Sequence, residues 1–198
     1  MISAVVLAAG KSRRMCEQKL LLPLGEGTVI SCIVDEVLAG PVDEVLVVVG
    51  NDREGIEQAL AGRRVKFVDN PDADGDMLSS VRCGLTALGQ SEGILVVLGD
   101  QPGISRHVVT ELIRTFGGAG GQIIVPTFQG KRGHPLLFSV SYREEILRSF
   151  DEVGLRGLLQ AHPEAVREVE VCSAEVLENM NLPDDYRRIL GTYPKDHE

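Results

Sequence analysis

The chain has 198 residues, enough for one domain with a full core, and no apolar run approaches the ~20 residues that a membrane span needs. A formal net charge of -9 argues against a broad polyanion-binding surface, and 4% aromatics with no Trp leave few stacking platforms for single-stranded nucleic acid. The core must therefore be built from Val, Leu, Ile and Ala.

Residues 2–7 are a near-continuous apolar run, the pattern of a central parallel strand. Ala8, Ala9 and Gly10 then leave the backbone open, so that free N–H groups at the strand end can reach a phosphate chain. Next come Lys11, Arg13, Arg14 and Lys19, with Glu17 as the one acid among them. A local basic cluster on an acidic protein points to a local anionic ligand, here a triphosphate. Gly10-Lys11-Ser12 is not the end of a P-loop, because Val5 stands where that motif needs Gly.

Helical spacing resumes over 28–39, where Val29, Ile33, Val34, Val37 and Leu38 share a face behind a Thr28 cap, and Gly40-Pro41 ends it. A second buried strand is expected over 44–49, a helix over 53–61 and a third strand over 65–68, ending at Asp69-Asn70-Pro71. A polar loop over 72–76 precedes a helix over 77–88. Residues 93–98 are the most apolar strand and run into Gly99-Asp100-Gln101-Pro102. Ser105 caps a helix to about Phe116, and residues 117–121 read as a flexible link. A fifth strand over 123–125 is followed by Gly133-His134-Pro135 and the apolar run 136–140. Helices are expected over 141–149 and 157–161, an exposed strand over 166–171, and a last helix over 183–190 behind Asn179-Met180-Asn181. Strands alternating with helices in this way predict a three-layer α/β fold with a mostly parallel sheet and no internal linker.

Cys16, Cys32, Cys83 and Cys172 form no CxxC pair, which argues against a zinc ribbon. The first residues enter a strand with no leader-type run, so a cytoplasmic protein with reduced thiols is expected.

Ligands of open parallel sheets bind beyond the carboxyl ends of the strands. The basic loop, Asp69-Asn70, the Asp100 turn and the His134 turn all fall there. Asp100 emerges from an apolar strand at the rim, which suits a Mg²⁺ ion held by one or two carboxylates plus phosphate oxygens. His134 is a candidate to hold a phosphate or to order its loop; His107 and His162 read as surface residues. Ser79 and Ser80 open a helix where hydroxyls can meet a base or ribose, or simply cap it. Arg156, in Gly154-Leu155-Arg156, is either a clamp for a second anion or a solvated loop residue.

The run Leu7-Ala8-Ala9-Gly10-Lys11-Ser12-Arg13-Arg14-Met15, with Lys19 following, resembles the nucleotide-binding signature of the MobA-like nucleotidyltransferases. The resemblance extends in order through Gly99-Asp100-Gln101-Pro102, Gly133-His134-Pro135 and Asn179-Met180-Asn181-Leu182-Pro183-Asp184-Asp185. It implies one Rossmann-like nucleotidyltransferase domain over residues 1–198. It also implies a reaction in which a phosphate on an acceptor attacks the α-phosphorus of a nucleoside triphosphate and pyrophosphate leaves. The implied acceptor is molybdopterin or a related phosphorylated compound, with a molybdoenzyme as a further partner and no nucleic acid or membrane.

By the same resemblance Gly10, Ser12 and Arg14 hold the phosphate chain, Lys19 neutralises charge at the α-phosphate, and Asp100 binds Mg²⁺ with Asn181 as second contact. Leu7, Ala8, Ala9, Asn70, Ser80 and His134 complete the nucleotide site. Arg14, Lys19 and Asp100 form the catalytic set. Ala9, where the guanylyl branch has Gly, puts the chain with the cytidylyl branch, so CTP is favoured. An added methyl there is expected to crowd a purine more than a pyrimidine. Two departures stand out. Cytidylyl relatives usually have Gly where Cys16 stands and Asp where Asn179 and Asn181 stand, and Asn is the weaker Mg²⁺ ligand. Rival readings are a guanylyltransferase, a sugar- or alcohol-phosphate transferase, and a non-catalytic nucleotide-binding or cofactor-delivery protein.

Overall fold

Ile2–Ala8 forms β1, whose side chains alternate between two separate apolar clusters. Ala4, Val6 and Ala8 face one cluster and Val5 the other. A strand buried on both faces requires a layer on each side. The computed structural model describes residues 1–10, 18–72, 76–119 and 123–193, with 118 and 119 by backbone alone, and it supplies both layers.

After β1 come a short hairpin of β2 (Pro23–Leu24) and β3 (Gly27–Thr28), then α1 (Val29–Leu38), β4 (Glu44–Val49), α2 (Arg53–Ala59) and β5 (Lys66–Asp69). Next are α3 (Met77–Ala87), β6 (Gly93–Leu98), α4 (Arg106–Ala119) and β7 (Ile123–Phe128). The chain closes with β8 (Lys131–Arg132), β9 (Leu136–Ser139), α5 (Arg143–Arg148), α6 (Arg156–Ala161), β10 (Val166–Glu170) and α7 (Pro183–Thr192). Thr28 caps α1 as expected: its Oγ1 accepts from Ser31 N, and Ser31 Oγ accepts from Thr28 N at 2.8 Å.

The main sheet runs β10-β7-β9-β6-β1-β4-β5, with β8 pairing β7 at the side. β1 is central and pairs parallel with β4 and β6. β9 is antiparallel to both of its neighbours, β6 and β7, and the side strand β8 is antiparallel to β7. Helices α1, α2 and α4 cover one face through Ile33, Ile56 and Leu112; α3, α5 and α6 cover the other through Val81, Ile146 and Leu158. The expected three layers and mostly parallel sheet are present.

Several local expectations shift. The stretch expected as a flexible link is helical as far as Ala119, because Phe116 packs onto the core and holds the last turns of α4 against the cost of its glycines. β7 continues through Pro126, which lacks an N–H but accepts at 2.8 Å from Gly133 N through its carbonyl. The helix expected from residue 141 starts as a 3-10 turn, Val140–Tyr142, before α5. His162 is half-buried rather than a free surface residue: its Nε2 lies 2.8 Å from Glu145 Oε2 and its ring sits against Tyr142.

Candidate active site at the carboxyl rim of the sheet

The rim takes its residues from both strand directions. β1 delivers Ala9 and Gly10, and β6 delivers Gly99, Asp100 and Gln101. Because β9 runs antiparallel, its beginning lies beside the ends of β6 and β7, which brings His134 to the same edge. Gly99 permits the closest approach of the two central strands. Its N–H donates to Leu7 O at 3.0 Å, and a Cβ there would lie 2.5 Å from that same oxygen. We expect Gly99→Ala to lower stability by about 1–3 kcal/mol, read from urea unfolding, because strand backbone cannot step aside as a side chain can. An unchanged midpoint would show that β1 and β6 separate freely at their ends.

Lys19 and Asp100 form the centre. Lys19 Nζ is 2.6 Å from Asp100 Oδ2, with side chains only 12% and 22% exposed. The same ammonium donates to Met180 O at 2.9 Å and to Asn181 Oδ1 at 3.1 Å. Segments distant in sequence thus meet at one cation. Lys19 is positioned by the 3-10 turn Lys19–Leu21, whose Leu20 is buried. Met180 is tied to the Asp100 backbone, its N–H donating to Asp100 O at 2.8 Å.

The loop bearing Asn181 is held from behind. Asp185 accepts from Asn181 N at 3.0 Å and from Leu182 N at 2.8 Å, and these backbone donors hold its carboxyl below the usual range. Sequence reasoning places Asp185 within a motif but gives it no role. The signal for one is present: an acid at the third helical position behind Pro183 is a helix-start pattern. The two asparagines divide. Asn179 Oδ1 accepts from Gln101 Nε2 at 2.5 Å and ties the loop to the turn after β6, whereas Asn181 alone reaches Lys19. The part played by the Met180 carbonyl has no signal in the sequence, since any residue type supplies that oxygen.

His134 N donates to Val176 O at 2.9 Å, and Gly133 lies so close to that carbonyl that a Cβ would be 2.2 Å from it. The His134 Nδ1 is buried with no hydrogen-bond partner among the described residues. Burial pushes the imidazole pKa below its ordinary value, Asp100 pulls it back up, and Arg156 pushes it down again. Arg156, exposed at the start of α6, is therefore near enough to act on the His134 ring. The folded-state pKa is depressed, so between it and about 6.5 the unfolded chain binds more protons. Stability tied to neutral His134 is fully present above that value and falls as pH drops through the window. His134→Asn is expected to flatten this part of the stability–pH curve in chemical denaturation from pH 7 to 5; a curve parallel to that of the original chain would refute the buried neutral ring.

Asn70 and Ser80 come together at the other end of the rim. Asn70 is 5% exposed, and its Nδ2 donates to Ser79 Oγ at 3.0 Å and Ser80 Oγ at 2.9 Å. Its Oδ1 accepts from Asp72 N at 2.9 Å, so both ends of the amide shape the turn between β5 and α3. Asp76 caps α3 by accepting from Ser79 N. With strands about 4.8 Å apart, Asn70 lies about 14 Å from Asp100, three strands away. Ala8 and Ala9 are both buried. Ala9 belongs to the cluster of Val5 and Leu78, so its methyl fills the core. Gly10 is exposed, with open space where a Cβ would stand. Ser12 and Arg14, and with them Lys11, Arg13 and Cys16, lie outside the described residues.

A carboxylate, an amide oxygen and a backbone carbonyl converging on one cation form the oxygen donor set that hard metal ions take. The ammonium of Lys19 stands in for such an ion, so Asp100, Asn181 and Met180 fit a divalent metal. Beside them lies a strand end whose glycine admits close approach of a ligand. This arrangement can align a polyphosphate and neutralise charge on it. Among the described residues no helix is long and apolar enough to cross a membrane.

The chain is similar to known proteins over most of its length. The family described as MobA-like NTP transferase domain matches residues 4–166. The molybdenum cofactor cytidylyltransferase of Escherichia coli (strain K12) is 25% identical over 188 residues, 93% of each chain. Nicotine blue oxidoreductase of Paenarthrobacter nicotinovorans is 26% identical over 197 residues, 96% of each. A solved nucleotidyl transferase from Methanothermobacter thermautotroptrophicus superposes with TM-score 0.86 at 31% identity, covering 98% of this chain and 97% of its own. A manganese complex of Rv0371c from Mycobacterium tuberculosis H37Rv superposes with TM-score 0.81 at 29% identity, covering 96% and 98%.

Proposed function

The chain belongs to the MobA-like NTP transferase family, and from that membership we propose that it transfers CMP from CTP to a phosphorylated acceptor, molybdopterin or its metal-bearing form. A phosphate oxygen of the acceptor attacks the α-phosphorus of CTP. The new P–O bond forms as the bond to the β-phosphate bridging oxygen breaks, and pyrophosphate carries away the electron pair. The observation that supports this most directly is the meeting of Lys19, Asp100, Asn181 and the Met180 carbonyl beside the open end of β1.

Phosphoryl-type transfer needs in-line alignment and charge neutralisation more than a covalent helper. The backbone at Ala9 and Gly10 takes the phosphate chain, Arg14 and Ser12 contribute from the basic loop, and Lys19 meets the α-phosphate. Asp100 and Asn181 would hold Mg²⁺, with the Met180 carbonyl as a third oxygen, and a bound ion would supply charge neutralisation on the triphosphate. His134 and Arg156 line the side towards α6, where the acceptor phosphate enters. Asn70 and Ser80 shape the turn that receives the nucleoside.

One relative is named for oxidoreductase chemistry, so family membership alone does not choose the reaction. The oxygen cage for a hard cation favours nucleotidyl transfer, because a redox exchange between organic molecules has no need of it. A thermal-shift panel of CTP, GTP, ATP and UTP, with and without Mg²⁺, tests the nucleotide. CTP with Mg²⁺ at 100 times its Kd is expected to stabilise by about 2.7 kcal/mol, several degrees in Tm. A larger shift with GTP would move the chain to guanylyl transfer. Pyrophosphate release from CTP with molybdopterin then tests the reaction, and CTP binding without release for any phosphorylated acceptor would make the protein a nucleotide-binding carrier.

A further inference from the structure

Among the described residues, three oxygens from two parts of the chain lie around Lys19 Nζ: Asp100 Oδ2 at 2.6 Å from the turn after β6, and Met180 O at 2.9 Å and Asn181 Oδ1 at 3.1 Å from the loop before α7. They are the oxygens best placed to hold a divalent cation, and such an ion binds its ligands at about 2.0–2.6 Å. The ammonium and the metal therefore compete for one position. We propose that Lys19 is a tethered counter-ion that closes the metal site in the nucleotide-free protein and gives it up only when a triphosphate arrives to receive the ammonium. The inference rests on the nucleotidyltransferase reading above and adds an order of events to it.

Charge sets that order. Asp100 brings one negative charge to the cage, and Asn181 and Met180 bring only dipoles. With Lys19 in place the charge of Asp100 is already matched, so a dication entering alone must displace a cation and then sit beside it. A triphosphate changes the balance twice, by offering the ammonium new anionic partners and by adding oxygens to the metal's shell. Metal and nucleotide then strengthen each other's binding by the same factor.

The way the site is built suits this exchange. The cage does not depend on the lysine for its shape: Met180 N bonds to Asp100 O at 2.8 Å, and Asp185 holds the N–H groups of Asn181 and Leu182. The lysine backbone is anchored as well, by buried Leu20 on one side and by Gln18, whose Nε2 donates to Asp52 Oδ2 at 2.5 Å, on the other. Rotation of the long Lys19 side chain opens the site without rebuilding either wall.

The test is Mn²⁺ binding to nucleotide-free protein, followed by the electron paramagnetic resonance signal of the unbound ion. Lys19→Met, which keeps the length and removes the charge, is expected to bind Mn²⁺ about tenfold more tightly than the original chain. Lys19→Arg should match the original chain, and Asp100→Asn added to Lys19→Met should abolish the gain. Lys19→Gln gives the same readout if the Met variant does not fold. A Lys19→Met protein that binds Mn²⁺ no more tightly overturns the counter-ion role. That failure is separable from failure of the functional reading: an original chain that turns over CTP while Lys19→Met gains no affinity refutes only the counter-ion. An original chain that binds no nucleotide refutes the enzyme, while a gain in Lys19→Met would still establish the blocked metal site.

Discussion

Asp100→Asn is expected to lower kcat by about 10³-fold, roughly 4 kcal/mol of lost transition-state stabilisation, while leaving the melting temperature within a few degrees. The substitution preserves shape and removes only charge. Asp100 is the one carboxylate ion-paired with Lys19 among the described residues. Its backbone bond to Met180 survives, which keeps the turn and the 179–182 loop in register. Steady-state pyrophosphate release, with CTP affinity measured separately, is the check. Turnover within tenfold of the original chain would remove Asp100 from the chemistry and move the metal elsewhere.

Lys19→Met should lower kcat by about 10²–10³-fold while changing KM for CTP much less. The reasoning is differential: charge at the α-phosphate grows most as the bond to pyrophosphate breaks, so an ammonium placed there acts chiefly in the transition state. The same variant is expected to hold Mn²⁺ more tightly, so metal affinity and turnover should move in opposite directions. A rise in KM with kcat unchanged would instead give Lys19 a role in binding alone.

The architecture is legible in the sequence because its strands are apolar without interruption and its breakers are plain. Residues 2–7, 44–49 and 93–98 leave little choice but a buried parallel sheet, and β1, β4 and β6 follow them closely. Less legible is the direction of β9, since a strand of four residues carries no mark of its polarity; yet that reversal is what brings His134 to the rim. Asp100 stands out as a charge at a strand end and Lys19 as the last cation of the basic run, and the structure joins them directly. Asn179 and Asn181 look like a pair, but Asn179 binds Gln101 and only Asn181 reaches the cage, a division that spacing does not reveal. Asn70 and Ser80 read as ligand contacts, whereas their polar atoms first satisfy each other, a bond that no spacing rule reveals. The basic loop carrying Ser12 and Arg14 lies outside the described residues, so its assignment rests on resemblance.

The tie between Met180 and the turn after β6 bears on where the working unit ends. The family match stops at residue 166, at the start of the outermost strand, and a chain truncated there would retain most of the sheet. It would nonetheless lose two of the three oxygens that the described residues place around Lys19, because both come from the tail that doubles back across the rim. A truncated chain that keeps this cage is therefore expected to reach at least Asp185, which holds the N–H groups of Asn181 and Leu182.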